Sequence, residues 1–497
     1  MKFFRVPNVR LLSSVGVAVA VSAVTLTSPA SAQDAKEAMA AFIDANATSY
    51  AAVAQEIWEL AEVGYMETES SEKLQGMLRS AGFEIASGVA GIPTAFVASY
   101  GGGGPVIGIM GEYDALPGIN QSRSAERDPI PGKIAGHACG HHLFGTGSVA
   151  AALAVKEWLD ETGAPGTIRV YGTPAEEGGA GKVYMVRAGL MDDVDVMLHW
   201  HAGSQNSARA SSSLANKSGK FRFYGQSAHA ASAPWRGRSA LDGVEAMHDM
   251  VNMMREHVTP ASRIHYVITS GGSAPNVIPD FAESYIYVRH PDPNEVRRMF
   301  DWVTRIAEGA AMGTETRMEL EVIHGIYNVL PNEALGRAMH ANLTAVGGVE
   351  YTAEERRFAE MIQNTFPEGV PPIERANEIE PFEVIEVGQG GSTDVGDVSW
   401  TVPTAGLSTA TWVPGTSAHS WQAVAAGGMD IGNKGMVNAV KTLAFTMHDL
   451  FTQPALIEAA QEEFLRRRGP NYIYEPLVGD RDPPLDYRAS VVGGSGN

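Results

Sequence analysis

Thr167-Ile168-Arg169-Val170-Tyr171-Gly172-Thr173-Pro174-Ala175-Glu176-Glu177 is an apolar β-pattern that runs directly into a pair of carboxylates. Two neighbouring stretches repeat the arrangement. Val106-Ile107-Gly108-Ile109-Met110 leads into Gly111-Glu112-Tyr113-Asp114, and Val194-Asp195-Val196-Met197-Leu198 leads into His199-Trp200-His201. Between these strands the apolar spacing turns helical, at about residues 143–159 and 183–189. Strands alternating with helices predict a largely parallel α/β sheet, whose sites gather at the carboxyl ends of the strands. Every polar cluster here stands at such an end.

Outward from that core, residues 35–81 carry two helical patterns closed by Gly82. The stretch 96–110 reads as a hairpin across the glycines at 101–104. From 217 to 326 the order changes to strand (220–224), helix (240–258), strand (263–269), strand (281–288), helix (294–311), strand (317–324). That is a β-α-β-β-α-β unit of the ferredoxin-like kind, read as an insertion at 217–329 in a domain made of 33–216 and 330–497. The methionines at 247, 250, 253 and 254 have helical spacing and read as packing rather than as a soft metal site. Residues beyond 453 form a helix and a Pro- and Tyr-containing tail whose role the sequence does not reveal; its glycine-rich end is expected to be disordered.

Residues 1–32 read as an export signal: Lys2, Arg5 and Arg10, an apolar stretch, then Ala30-Ser31-Ala32 for cleavage. An exported, periplasmic protein is expected, with no membrane span in the mature chain. One cysteine allows no internal disulfide, so the fold must be held by its core. The mature chain would carry 34 basic against 57 acidic residues. A surface so acidic repels phosphate backbones, which excludes nucleic acid as a partner.

The single cysteine sits in Gly136-His137-Ala138-Cys139-Gly140-His141-His142, which places three of the chain's 14 histidines beside one thiol. A catalytic divalent site needs several N, O or S ligands, an open position and a base. Cys139, His141, one of Glu176 and Glu177, one of His199 and His201, and His419 are the candidates. Of two neighbouring glutamates on a bent chain, one can bind metal while the other takes a proton from water. Gly145-Thr146-Gly147-Ser148-Val149-Ala150 matches a dinucleotide pattern, but more than thirty residues separate it from its strand. No G-x-S-x-G elbow occurs.

Together these residues resemble the M20 metallopeptidases, specifically the amidohydrolase branch that acts on aminobenzoyl-glutamate and auxin conjugates. The carriers are Gly111-Glu112-Tyr113-Asp114-Ala115-Leu116-Pro117, His137 to His142, Pro174 to Gly178, Trp200-His201, Ser227-Ala228-His229 and Gly391-Ser392-Thr393-Asp394-Val395-Gly396-Asp397. His141-His142 and the Ser-Thr-Asp-Val-Gly-Asp run point to the aminobenzoyl-glutamate group. The resemblance implies an α/β/α metal-binding catalytic domain with an inserted ferredoxin-like dimerisation domain. It puts two divalent metals (zinc or manganese, with cobalt possible) on Cys139, His141, Glu177, His201 and His419, and the general base on Glu176. His199 stays the alternative to His201. Asp114 is expected to orient the ligands, and Glu112 to stand outside them. The resemblance also implies a homodimer or higher oligomer in which His229, with Asn276 nearby, serves the partner's oxyanion. Arg289 is the candidate for a substrate carboxylate. Trp200, Trp412 and Trp421 lie beside predicted ligands, as an acyl pocket or as core.

The expected reaction is hydrolysis of the amide of N-acyl, especially N-aroyl, amino acids, by a water activated at the metals with Glu176 as base. A dipeptidase or aminoacylase on the same scaffold is the alternative, and a non-catalytic exported binding protein is a third reading.

Overall fold

The computed structural model describes residues 29–367, 369–388 and 390–489. The basic and apolar parts of the expected export signal, and the 493–497 end, lie outside the described residues.

The main sheet has six strands, in spatial order Glu84–Ser87, Phe96–Gly102, Gly166–Gly172, Val106–Gly111, Val196–Gly203 and Thr404–Ala410. The last four are mutually parallel and Phe96–Gly102 runs antiparallel to both of its neighbours, so the sheet is mixed. The expected hairpin does not form. Phe96–Gly102 and Val106–Gly111 each pair with Gly166–Gly172, which lies between them. Gly103, Gly104 and Pro105 bridge two strand spacings instead of making a tight turn, and Gly101 packs so closely on the Gly166 carbonyl that a side chain there would collide with it.

Strand alternation sorts the core into two layers. Ile107, Ile109, Ile168, Val170, Val196 and Leu198 face helices Pro29–Leu60, His141–Thr162, Glu333–Val346 and Asp430–Thr452. Met110, Tyr171 and Met197 face the opposite layer, with helices Gly181–Arg187 and Val395–Ser399. Each such aliphatic side chain, when fully buried, contributes roughly 1.5–3 kcal/mol. The dinucleotide-like glycines have a packing role. A Cβ at Gly145 would meet the Glu112 carbonyl oxygen at 2.7 Å and one at Gly147 the Trp200 ring at 2.9 Å, so they let the helix lie close on the sheet.

A second, four-stranded antiparallel sheet runs Arg263–Ser270, Phe281–His290, Ala215–Tyr224, Arg317–Ile326. Helices Ala240–Met254 and Pro293–Gly313 cover one face, where Phe221, Phe223, Ile286 and Val288 are buried. Met247 and Met254 belong to this core, while Met253 is exposed. The same alternation turns Lys220, Tyr285, Tyr287 and Arg289 to the other face, which looks onto the carboxyl end of the main sheet.

Candidate metal centre

Three irregular segments meet at that end. Gly140, with φ of +77°, ends the cysteine loop, and His141 opens the following helix. Ala175, with φ of +59°, bends the chain between the Gly166–Gly172 strand and Glu176. His419 also has a left-handed backbone, with φ of +59°, and is held by its N–H donating to the Ala138 carbonyl at 2.9 Å. Two strained non-glycine residues at one locus fit a site whose geometry the surrounding fold imposes.

The donor atoms converge as two triads that share one thiol: Cys139 with His141 and His201, and Cys139 with Glu177 and His419. Cys139 Sγ lies 3.4 Å from His201 Nε2 and 3.6 Å from His419 Nε2, and His419 Nε2 lies 3.2 Å from Glu177 Oε1. His141 Nδ1 donates to Asp114, at 2.9 Å to the carboxylate and 3.0 Å to the carbonyl, which leaves Nε2 to face the cluster. Buried His141 Nε2 and Glu112 Oε2 face each other at 3.0 Å, and Glu177 Oε1 faces His419 Nε2, but none of the three buried atoms makes a well-aligned hydrogen bond among the described residues. A buried lone pair left unpaired is costly. Imidazole and carboxylate atoms converging on a thiol with poorly aligned hydrogen bonds are what divalent cations would satisfy, so the residues fit a two-metal site.

His199 takes no part. It shares a strand face with His201, but its ring lies over Gly406, where any Cβ would be 2.2 Å from Nε2, and it lines a separate cavity of about 230 Å³. Glu176 sits with Glu112 and His141 in a third cluster and lines a cavity of about 620 Å³ together with Glu177, His419, Lys220, Tyr285, Tyr287 and Arg289. Burial, then Glu112 and Glu177, raise the Glu176 carboxyl well above the usual range. Burial and Glu177 likewise push the Cys139 thiol up. Burial opposes a charge on His141, yet Glu112 and Asp114 outweigh it and raise the ring's pKa.

His229 and Asn276 are exposed and stand next to each other, the Ala230 N–H donating to the Asn276 carbonyl at 3.0 Å. Neither lines the cavity of its own chain. The tryptophans do not line it either. Trp200 and Trp412 are core residues, Trp200 donating to the Phe144 carbonyl, and Trp421 packs half-buried on the Trp412 cluster. Aromatic walls come instead from Tyr285, Tyr287 and Tyr487.

Two groups escaped the sequence reading. The first is the partner of Glu112, which stands beside the two triads as expected: its Oε2 is 3.0 Å from His141 Nε2, while Oε1 pairs with Lys182 Nζ at 2.6 Å. Lys182, wholly buried, also pairs with Asp394 at 2.7 Å. The signal was a lysine inside a glycine-rich, otherwise apolar stretch. The second group is the C-terminal tail. Leu477 and Val478 are buried, Arg187 donates to the Gly479 and Arg481 carbonyls, and Tyr487 packs edge-on to Tyr65. The tail thus lays Tyr487 and Arg488 along the cavity, both donating to the Glu177 carbonyl, at 3.3 and 2.6 Å.

Residues 108–420 match the model of peptidase family M20/M25/M40. The chain is 40% identical over 447 residues to one of the subunits of the p-aminobenzoyl-glutamate hydrolase of Escherichia coli, covering 85% of this chain and 93% of that one. It is 30% identical to the Xaa-Arg dipeptidase of Mus musculus, over 85% and 90% of the two chains. Among solved structures, an aminobenzoyl-glutamate utilization protein from Klebsiella pneumoniae aligns with a TM-score of 0.55 at 18% identity, over 82% of this chain and 97% of that one. A dinuclear metal binding peptidase of the M20 family from Bacillus subtilis aligns with a TM-score of 0.53 at 17% identity, over 82% and 99%. At these identities the structures support the fold alone. With a family model matched across the donor triads and Glu176, and a relative aligned over most of both chains, the chain belongs to the M20/M25/M40 peptidase family.

Proposed function

We propose that this hydrolase cleaves the amide of N-acyl amino acids, with N-aroyl-glutamate compounds as the preferred class. The observation that carries the reading is the pair of donor triads sharing Cys139, with Glu176 beside them at the floor of a cavity that also holds Arg289. Cys139, His141, Glu177, His201 and His419 would hold two divalent ions, zinc or manganese. Bound there, the ions would supply Lewis acidity, polarising the scissile carbonyl and making water easier to deprotonate. Glu176 takes the proton from the attacking water at its carboxylate and returns it to the departing amine nitrogen. Asp114 fixes His141 in one tautomer through Nδ1. Arg289 offers its guanidinium to the α-carboxylate of the departing amino acid.

The divided domain is taken as 33–216 with 330–497 and the ferredoxin-like unit as 217–329, the latter acting as dimerisation lid. His229 and Asn276, exposed and outside their own cavity, would then serve the active site of a partner subunit in a homodimer or higher oligomer. Export to the periplasm follows from the reading of residues 1–32 as a signal. No helix among the described residues is long and apolar enough to cross a membrane. A dipeptidase is the competing reading, which the resemblance to the Xaa-Arg dipeptidase keeps in view. Assay of metal-loaded protein on N-aroyl-glutamate, N-acetyl amino acids and Xaa-Arg dipeptides decides between them; the highest kcat/KM is expected on N-aroyl-glutamate, and a higher value on the dipeptides would reverse the assignment.

A further inference from the structure

We propose that Arg488, carried by the C-terminal tail, reads the side-chain carboxylate of an acidic departing amino acid; this rests on the amidohydrolase reading above. The cavity above Glu176 and Glu177 contains two guanidinium groups, Arg289 and Arg488, and the Nε of each is buried without a hydrogen-bond partner among the described residues. Unpaired buried donors on cations are expensive, and a planar carboxylate is the ligand their fork geometry fits. A tyrosine ring stands beside each of them: the Arg289 guanidinium lies 5.4 Å from the centre of Tyr287, and that of Arg488 4.7 Å from the centre of Tyr487. Lys220 lines the same space but lies 3.6 Å from Glu283.

The carboxylates in the cavity do not cancel these charges. Glu176 and Glu177 belong to the catalytic cluster. Glu321 is engaged by Arg222 at 2.6 Å and lies 3.8 Å from Arg481, and Asp486 is exposed. What remains is Arg289 and Arg488, two guanidinium groups that no carboxylate among the described residues pairs with. One α-carboxylate, common to every amino acid, needs one guanidinium. The second implies a second carboxylate, hence an acidic amino acid.

The division of labour follows from the chain. Arg289 lies on the Phe281–His290 strand, inside the 108–420 segment that matches the family, and suits the group all substrates share. Arg488 lies outside that segment, on a tail pinned by Arg187 and by Arg481, which donates to the Ile323 carbonyl at 3.0 Å. It suits the group that varies.

The test compares kcat/KM for N-aroyl-glutamate and N-aroyl-glutamine, which differ in charge but hardly in shape, using wild type, Arg488→Gln, Arg488→Lys and Arg289→Gln. Arg488→Gln is expected to lower the glutamate-to-glutamine ratio by about 10- to 100-fold, mostly through KM for the glutamate substrate. Arg488→Lys recovers part of the ratio, and Arg289→Gln weakens both substrates while leaving the ratio near wild type. Equal loss on both substrates in Arg488→Gln, with unchanged Tm and metal content, would make Arg488 a strap for Glu177 and overturn the proposal alone. Failure of metal-loaded wild type to hydrolyse any N-acyl amino acid would overturn the amidohydrolase reading and the proposal with it.

Discussion

Lys182 Nζ lies 2.6 Å from Glu112 Oε1 in a pair with no solvent exposure to speak of, and the other oxygen of that carboxylate faces His141. Asp394 completes a buried triad through the same ammonium. Burial opposes the charge on Lys182, but Asp394 and Glu112 outweigh it and raise its pKa. Lys182→Met removes the ammonium that pairs with both carboxylates and should cost about 3–5 kcal/mol in urea unfolding of the metal-free protein. Adding Asp394→Asn should recover part of that loss. A variant as stable as wild type would mean that the triad is not a charged unit.

Asp397 makes stability depend on pH. It accepts from the Tyr327 N–H and the Tyr474 hydroxyl, yet burial pushes its carboxyl up to about 7. The folded state therefore binds this proton more tightly than the unfolded chain, whose aspartate titrates near 3.9. The contribution is fully present below about pH 4 and is lost as pH rises through about 7, on the order of 4 kcal/mol at most. Asp397→Asn should flatten this part of the curve, so that its stability relative to wild type is higher at pH 8 than at pH 5. A difference from wild type that does not vary with pH would contradict this.

Cys139 belongs to both donor triads, so its loss should affect both metals at once. Cys139→Ala is expected to weaken metal affinity by about 100-fold or more and activity with it. Full metal content with reduced Tm would return Cys139 to the role of a small buried hydrophobe.

His229 tests the proposed exchange of residues between subunits. His229→Ala and Glu176→Gln homodimers should each be impaired, the former by about 10²–10³-fold in kcat. Mixed after dissociation and reassociation, they should regain activity, because one site in the heterodimer then has both residues intact. No gain on mixing would place His229 outside the partner's site.

Strand ends were legible because burial and chemistry share one pattern: apolar alternation stops where Glu112, Glu176 and His201 begin. The histidine choice was not. His199 and His201 point to the same strand face, and only the packing of Gly406 against His199 shows which ring has been turned aside. The hairpin failed for a related reason, since local spacing cannot show that Gly166–Gly172 inserts between two consecutive strands. The sequence also left His201 past a strand end, whereas the strand continues to Gly203 and delivers the ring from within it. Lys182 and Arg488 depend on partners more than 60 and 300 positions away, beyond any local pattern.

The central claim is that Glu176 moves the proton while Cys139, His141, Glu177, His201 and His419 hold the metals. Glu176→Gln, measured for bound metal and for turnover of N-aroyl-glutamate, tests it most directly. The account predicts two metals per chain, as in wild type, with kcat lowered by about 10²–10⁴-fold. Near-normal turnover, or loss of metal in step with activity, would contradict it.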